Sequence, residues 1–156
     1  MKRLLLLVSF FAVIFTAQNV NAQGNRKLKT QPVNYGENVE EPFTAKELSM
    51  LKEVYQDKLE EYVLSKPNRV KDFKHLLRER IYILEHSVSK DLSVYKSFLD
   101  LPLFNTYNAN LQKGFKDTIS NFNPLIYQFP WHSNEDVTYW IKGTKYTITI
   151  KSQFQK

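Results

Sequence analysis

The chain has 156 residues, no cysteine and a formal charge of +6 at pH 7. The absence of cysteine excludes a disulfide framework, a cysteine nucleophile and a lipid-modified cysteine anchor. The four glycines are too scattered for a glycine-rich phosphate loop, so no nucleotide cofactor is predicted.

The N-terminus has the three parts of a cleavable secretory signal peptide over 1–22. Lys2 and Arg3 precede an almost wholly apolar run, and small residues before Gln23 suit cleavage between Ala22 and Gln23. The apolar run reaches only about 18 Å as a helix, short of the roughly 30 Å of a bilayer core. We therefore predict an exported protein, periplasmic or secreted, that does not span the membrane after cleavage.

Cleavage also changes the charge of the working molecule. Loss of Lys2 and Arg3 lowers the formal charge from +6 to +4. An exported and only mildly basic protein is an improbable partner for nucleic acid. If the charge has a target, an anionic glycan or lipid surface is the better candidate.

A polar segment over 23–42 is predicted to be a flexible tether to one domain over 43–153. A helix over 44–64 follows, because Thr44 and Glu47 form a capping box ahead of apolar residues spaced three and four apart. Pro67 disfavours helical geometry at the preceding residue, so this helix should end near Ser65.

A second helix is predicted from Pro67 to about Glu79. The β-branched and aromatic residues that follow favour a strand over 80–86, although the helical pattern could also continue through them. Residues 87–121 lack clean periodicity and are expected to hold one short helix around 91–99.

Alternating apolar residues predict a three-stranded antiparallel meander at the C-terminus. Val137, Tyr139 and Ile141 face Ile150, Ile148 and Tyr146 if Gly143-Thr144 form a two-residue hairpin turn. A first strand over 125–131 would then place its apolar residues on the same face. The predicted fold class is α+β, with two N-terminal helices packed on a small antiparallel sheet.

The strongest candidate for catalytic or metal chemistry is the pair His75 and Glu79. Residues four apart share a helix face, but two ligands are too few for a metal site, and a solvated polar pair is the simpler interpretation. No catalytic residue is assigned.

Two features are candidates for binding. Lys71, Lys74 and Arg78 would share one face of the second helix, where an anionic partner could dock, although a solvated face is the simpler interpretation. Trp140 points away from the apolar face of the predicted sheet. It is either covered by residues 87–121 or exposed as a contact for a sugar or protein.

Three C-terminal motifs carry a family resemblance: Leu101-Pro102-Leu103-Phe104-Asn105, Phe122-Asn123-Pro124-Leu125 and the run over 144–153. With them, residues 68–153 resemble a group of small exported bacterial proteins of unassigned function. The resemblance implies export and a shared C-terminal fold. It transfers no catalytic or binding residue.

The sequence is compatible with two functions of different classes. The first is a non-enzymatic envelope or secreted binding module, whose partner is an unknown envelope protein or an anionic glycan or lipid surface. The alternative is a small hydrolase or metal-dependent enzyme that uses His75 and Glu79, together with an acid from 87–121.

Overall fold

Two helices and a four-stranded mixed sheet make the fold α+β. The structure is a computed structural model that describes Val33 and residues 35–87, 91–114 and 119–154. The predicted signal peptide and its cleavage site between Ala22 and Gln23 lie outside the described residues. Within these ranges, no helix is both long enough and apolar enough to cross a membrane.

The first helix, α1, spans Ala45–Tyr55 and begins as the sequence predicts. The Glu47 N–H donates to Thr44 Oγ1 at 3.2 Å, and the Thr44 N–H donates to Glu47 Oε2 at 2.7 Å. This capping box satisfies two backbone donors that a helix start would otherwise leave unpaired.

The helix predicted over 44–64 is interrupted at Gln56. Gln56 has a positive φ of 48°, which α-helical backbone does not allow. The chain continues through a 3₁₀ turn at Gln56–Lys58 and a π-helical turn at Glu60–Leu64. The last turn ends at Ser65, where Pro67 was expected to stop the helix.

The second helix, α2, spans Pro67–His75 and continues as a π-helical turn over Leu76–Arg80. Strand β1, Ile81–Glu85, follows directly. The predicted change from helix to strand near Glu79 is therefore confirmed.

The sheet contains β1, β2 (Lys96–Ser97), β3 (Val137–Trp140) and β4 (Tyr146–Ile150), in the order β1-β4-β3-β2. Strand β4 pairs antiparallel with both β1 and β3, whereas β2 pairs parallel with β3. The expectation of a wholly antiparallel sheet was wrong, and a 3₁₀ turn at Phe98–Asp100 follows β2 where a helix was predicted.

The β3–β4 hairpin has the predicted register. Val137 pairs with Ile150 and Tyr139 with Ile148, and the Ile141 N–H donates to the Tyr146 carbonyl at 3.0 Å. The turn differs by one residue. The Thr144 N–H donates to the Ile141 carbonyl at 3.0 Å, so Lys142 and Gly143 are the central residues. Gly143 supplies the positive φ, 84°, that the second central position requires.

The first strand of the predicted meander, over 125–131, does not form. Strand β2 lies beside β3 in its place, and β1 pairs with the other side of β4. Residues Pro124–Ile126 form a 3₁₀ turn, and Tyr127 makes only an isolated bridge to Leu103. Both Leu125 and Ile126 are buried, which a strand with one buried face does not allow.

The last part of the predicted tether packs against the domain. Val39 is 2% exposed, and a 3₁₀ turn spans Glu37–Val39. Arg78 donates to the backbone carbonyls of Asn38 and Pro42. The folded unit therefore begins before Phe43.

One core joins the helices, the sheet and the segment over 122–129. It combines buried apolar residues from all three, including Leu51, Val54, Leu76, Phe98, Phe122, Tyr127, Ile148 and Ile150. The first helix packs chiefly against the 3₁₀ turn Pro124–Ile126, and no strand is among its main contacts, although it was expected to cover the sheet.

Candidate functional site: an aromatic cavity beside the second helix

A cavity of about 870 Å³ lies between α2 and two irregular segments, 104–107 and 125–132. Its volume falls in the range of about 300–1,000 Å³ that small-molecule sites occupy. It is partly open to solvent. Because each of its walls comes from a different part of the chain, the cavity exists only in the folded domain.

Aromatic side chains provide most of the apolar lining: Tyr55, Phe73, Phe104, Tyr107, Phe129 and Trp131. Tyr55 and Tyr107 are stacked with ring centroids 5.0 Å apart, and Phe129 and Trp131 are 5.2 Å apart. Rings that are locked by packing against each other lose little freedom when a ligand binds. The cavity is therefore suited to flat apolar groups.

Arg80 is the buried cation of the cavity, with 6% of its surface exposed. Nε donates to the Lys151 carbonyl at 2.9 Å, and Nη2 donates to the Trp131 carbonyl at 2.5 Å. No carboxylate in the described ranges lies within ion-pair distance of it. Burial lowers the pKa of Arg80, but a guanidinium remains protonated at neutral pH. Asp72 acts on this charge only from a longer distance, so Arg80 has a distant acid but no ion-pair partner.

Arg69 and Asp72 are the other charged residues that line the cavity. Arg69 Nη1 donates to the Tyr62 carbonyl at 3.4 Å. Asp72 accepts a hydrogen bond of 2.6 Å from the Tyr35 hydroxyl. This bond, helped by burial, raises the pKa of Tyr35 to about 12. Two arginines and one aspartate give the lining a formal charge of +1, not counting histidine.

His75 and Glu79 form a hydrogen-bonded pair at the cavity. Nδ1 of His75 lies 2.8 Å from Glu79 Oε2, and the histidine is 7% exposed. Because a carboxylate only accepts, Nδ1 must carry the proton. Nε2 is buried with no hydrogen-bond partner among the described residues. The pair shares a helix face as predicted, but it is buried rather than solvated.

Gly36 helps to hold this pair in place. Its N–H donates to Glu79 Oε2 at 3.1 Å, so one carboxylate oxygen contacts both Gly36 and His75. A Cβ at position 36 would collide with the Glu79 carboxylate. Tyr35 packs edge-to-face on His75, with ring centroids 5.3 Å apart. The segment that was expected to be a tether therefore fixes the His75 ring.

A metal site built on His75 and Glu79 would need at least one more ligand. Within the described ranges, no three His, Asp or Glu side chains converge in a way that could hold a metal ion. The acid expected from 87–121 does not join His75 and Glu79 in this part of the chain.

The three cations of the predicted basic face are placed in different environments. Lys71 forms an ion pair of 2.6 Å with Glu40. Lys74 is 7% exposed, and its ammonium lies 5.4 Å from the ring centre of Phe43. Arg78 is paired with Glu47. They do not form one open basic face, and their binding to an anionic partner stays an untested prediction.

Trp140 lies in β3 opposite Thr147 and is half-buried. Its Nε1–H donates to the Thr144 carbonyl at 2.8 Å, and its neighbour on the other side is Ser97 of β2. The indole is therefore fixed by the hairpin turn. A role in contacting a sugar or a protein remains a prediction.

No known protein family, curated protein or solved structure matches the chain.

The sequence did not point to Arg80 or to the aromatic lining as functional residues. Arg80 begins the strand predicted over 80–86, and Trp131 ends the one predicted over 125–131. An arginine directly before an apolar strand is a weak signal. Its importance depends on burial against Lys151 and Trp131, which are distant in the sequence.

Proposed function

We propose that the protein is an exported binding module whose cavity holds a small ligand with a flat apolar body. The observation that carries the proposal is the cavity of about 870 Å³ with its aromatic lining. The predicted signal peptide and the resemblance to small exported proteins support a location outside the cytoplasm. The ligand is a small molecule from the envelope or the medium.

The shape of the binding surface supports a small molecule over a protein partner. Aromatic rings arranged around a concave space present much apolar area to a compact ligand, whereas protein contacts are broader and flatter. Tyr55 and Phe73 approach edge-to-face with centroids 5.9 Å apart. Aromatic groups prefer this geometry, so a flat ligand in the cavity would extend an existing aromatic cluster.

A fluorescent neutral probe tests the proposal. N-phenyl-1-naphthylamine, excited directly, should bind the purified protein with one-to-one stoichiometry and increased emission. The variant Thr106→Trp places a large ring at the cavity rim, because Thr106 lines the cavity and is exposed. It should weaken probe binding at least about tenfold.

The matched control is Asn105→Trp. Asn105 is also exposed but does not line the cavity. The control should bind the probe as the unmodified protein does. Equal loss in both variants, or no saturable binding by the unmodified protein, would refute the proposal.

The His75–Glu79 pair favours a second function, that of a small hydrolase. Glu79 orients the imidazole through Nδ1 and leaves Nε2 of His75 as the proton acceptor. Because Nε2 is buried, it would have to become exposed to take a proton from water. The hydroxide formed would attack an ester carbonyl, and the alcohol would leave with the proton from His75. Hydrolysis of p-nitrophenyl butyrate that disappears in His75→Gln and persists in His132→Gln would support this function. Equal rates in both variants would reject it.

A further inference from the structure

We infer that the ligand is a monoanion, an aromatic or similarly flat carboxylate, whose negative group binds the guanidinium of Arg80. This inference rests on the proposed ligand-binding function and adds the chemical class of the ligand. It is carried by the hydrogen bonding of Arg80, the charge of the lining and the position of Trp131.

Arg80 has N–H donors that form no hydrogen bond within the described part of the protein. A guanidinium has five N–H groups, and the protein uses one on Nε and one on Nη2, both to neutral carbonyls. Nη1 has no hydrogen-bond partner in the described part of the chain, and it is not among the fully buried unpaired atoms there. It is therefore accessible, and Arg80 lines the cavity.

Arg80 forms no ion pair in the described part of the chain, and Asp72 acts on it only from a longer distance. This is informative because a buried charge is costly unless it is paired. Removing a guanidinium from water is normally offset by an acidic partner and further hydrogen bonds. Lys151, whose carbonyl accepts from Arg80, directs its own ammonium to Asp136 at 2.6 Å. The nearby acid is therefore used elsewhere, and a bound anion would supply the missing charge.

The magnitude of the charge favours a monoanion. Among the residues that line the cavity, the charges of Arg69, Arg80 and Asp72 sum to +1, which a single carboxylate neutralises. A phosphate dianion would leave the site with a net negative charge. A carboxylate also matches the planar fork of a guanidinium.

The position of Trp131 connects the anion to the aromatic body of the ligand. Arg80 Nη2 donates to the Trp131 carbonyl, and the Trp131 ring lines the cavity beside Phe129. A carboxylate on Arg80 therefore places the rest of the ligand next to these two rings. Charge and shape are recognised at adjacent points.

Two probes that differ in charge test the inference by isothermal titration calorimetry. 2-Naphthoate and 2-naphthamide share one ring system, but only the first is an anion. The unmodified protein should bind 2-naphthoate at least about tenfold more tightly, as one charge-assisted hydrogen bond allows. Equal affinity, or preference for the amide, would overturn the inference and leave the proposed cavity function standing. Binding of neither probe would reject both.

Two variants separate Arg80 from general electrostatics. Arg80→Gln should reduce the preference for 2-naphthoate to less than about threefold, provided that its circular dichroism spectrum is unchanged. Asp72→Asn provides a second test, at an exposed residue that leaves the buried hydrogen bonds of Arg80 in place. Removing the acid should tighten 2-naphthoate by about two- to fivefold and leave 2-naphthamide unchanged. No change, or the same change for both probes, would contradict a carboxylate site.

Discussion

Arg78 donates two hydrogen bonds to Glu47, with Nε 2.7 Å from Oε1 and Nη2 2.8 Å from Oε2. The two side chains are only 11% and 12% exposed. The same guanidinium contacts the backbone at Asn38 and Pro42. One side chain therefore joins the N-terminal segment, the cap of α1 and the end of the second helical segment.

The first prediction concerns the stability that this pair provides. Arg78→Gln leaves Glu47 buried without its partner, so we expect the free energy of unfolding to fall by about 2–4 kcal/mol. Urea denaturation measures this free energy of unfolding. The control is Lys58→Gln, because Lys58 and Glu61 form an exposed pair with side chains 47% and 59% exposed. The control should cost less than about 0.5 kcal/mol. Similar losses in both variants would show that Arg78 has no special structural role.

The second prediction concerns acid pH. Hydrogen bonds from Arg78 and from the Thr44 backbone lower the pKa of Glu47 below its usual value of 4.5, against the opposing effect of burial. The unfolded chain therefore binds this proton more tightly than the folded one. The stabilisation is complete above pH 4.5 and is lost as pH falls through the lower folded pKa. The stability difference between the unmodified protein and Glu47→Gln should shrink from pH 6 to pH 3 in urea titrations. A stability difference between the two proteins that stays constant with pH would contradict this prediction.

The third prediction concerns Gly36. Gly36→Ala should destabilise the fold by about 1–3 kcal/mol, because its Cβ displaces a carboxylate that already accepts two hydrogen bonds. A double-mutant cycle with Glu79→Ala isolates the cause. Once the carboxylate is removed, Gly36→Ala should cost less than about 0.5 kcal/mol. An undiminished cost would mean that the collision with Glu79 is not responsible.

The fourth prediction concerns Gln56. A non-glycine residue at φ 48° and ψ −125° is strained, since this region suits glycine. Gln56→Gly should raise the free energy of unfolding by about 1 kcal/mol. Asp57→Gly is the control, because it lies one residue on in the 3₁₀ turn without a positive φ, and it should lower stability. Thermal unfolding would distinguish them, and destabilisation by Gln56→Gly would reject the strain argument.

Local signals account for the parts of the fold that the sequence predicted. The Thr44–Glu47 capping box involves residues three apart, and the β3–β4 register depends on one short turn. The pairing of β1 with β4 is different. Ile81 pairs with Ile150, from which it is separated by most of the domain's sequence. No local sequence pattern selects that partner. The prediction that 125–131 forms a strand beside 137–141 was wrong, because its residues are buried in a core segment rather than on one face of a strand.

The candidate site was predictable only in part for the same reason. Spacing alone placed His75 and Glu79 on one helix face, and they do form a hydrogen bond. Their burial comes from Tyr35 and Gly36, which lie in a polar segment with the composition of a tether. The charge state of the cavity depends on Arg80, whose carbonyl partners lie 51 and 71 residues further along the chain.

The position of a bound ligand tests the central claim most directly, and the two tryptophans report it. Trp131 lines the cavity, whereas Trp140 lies in β3 and does not. In ¹H–¹⁵N NMR spectra the two indole N–H signals can be assigned with Trp140→Phe. Addition of 2-naphthol should shift the Trp131 signal in a saturable manner and leave the Trp140 signal in place. Equal shifts of both signals, or a saturable shift of Trp140 alone, would contradict a ligand site in the cavity.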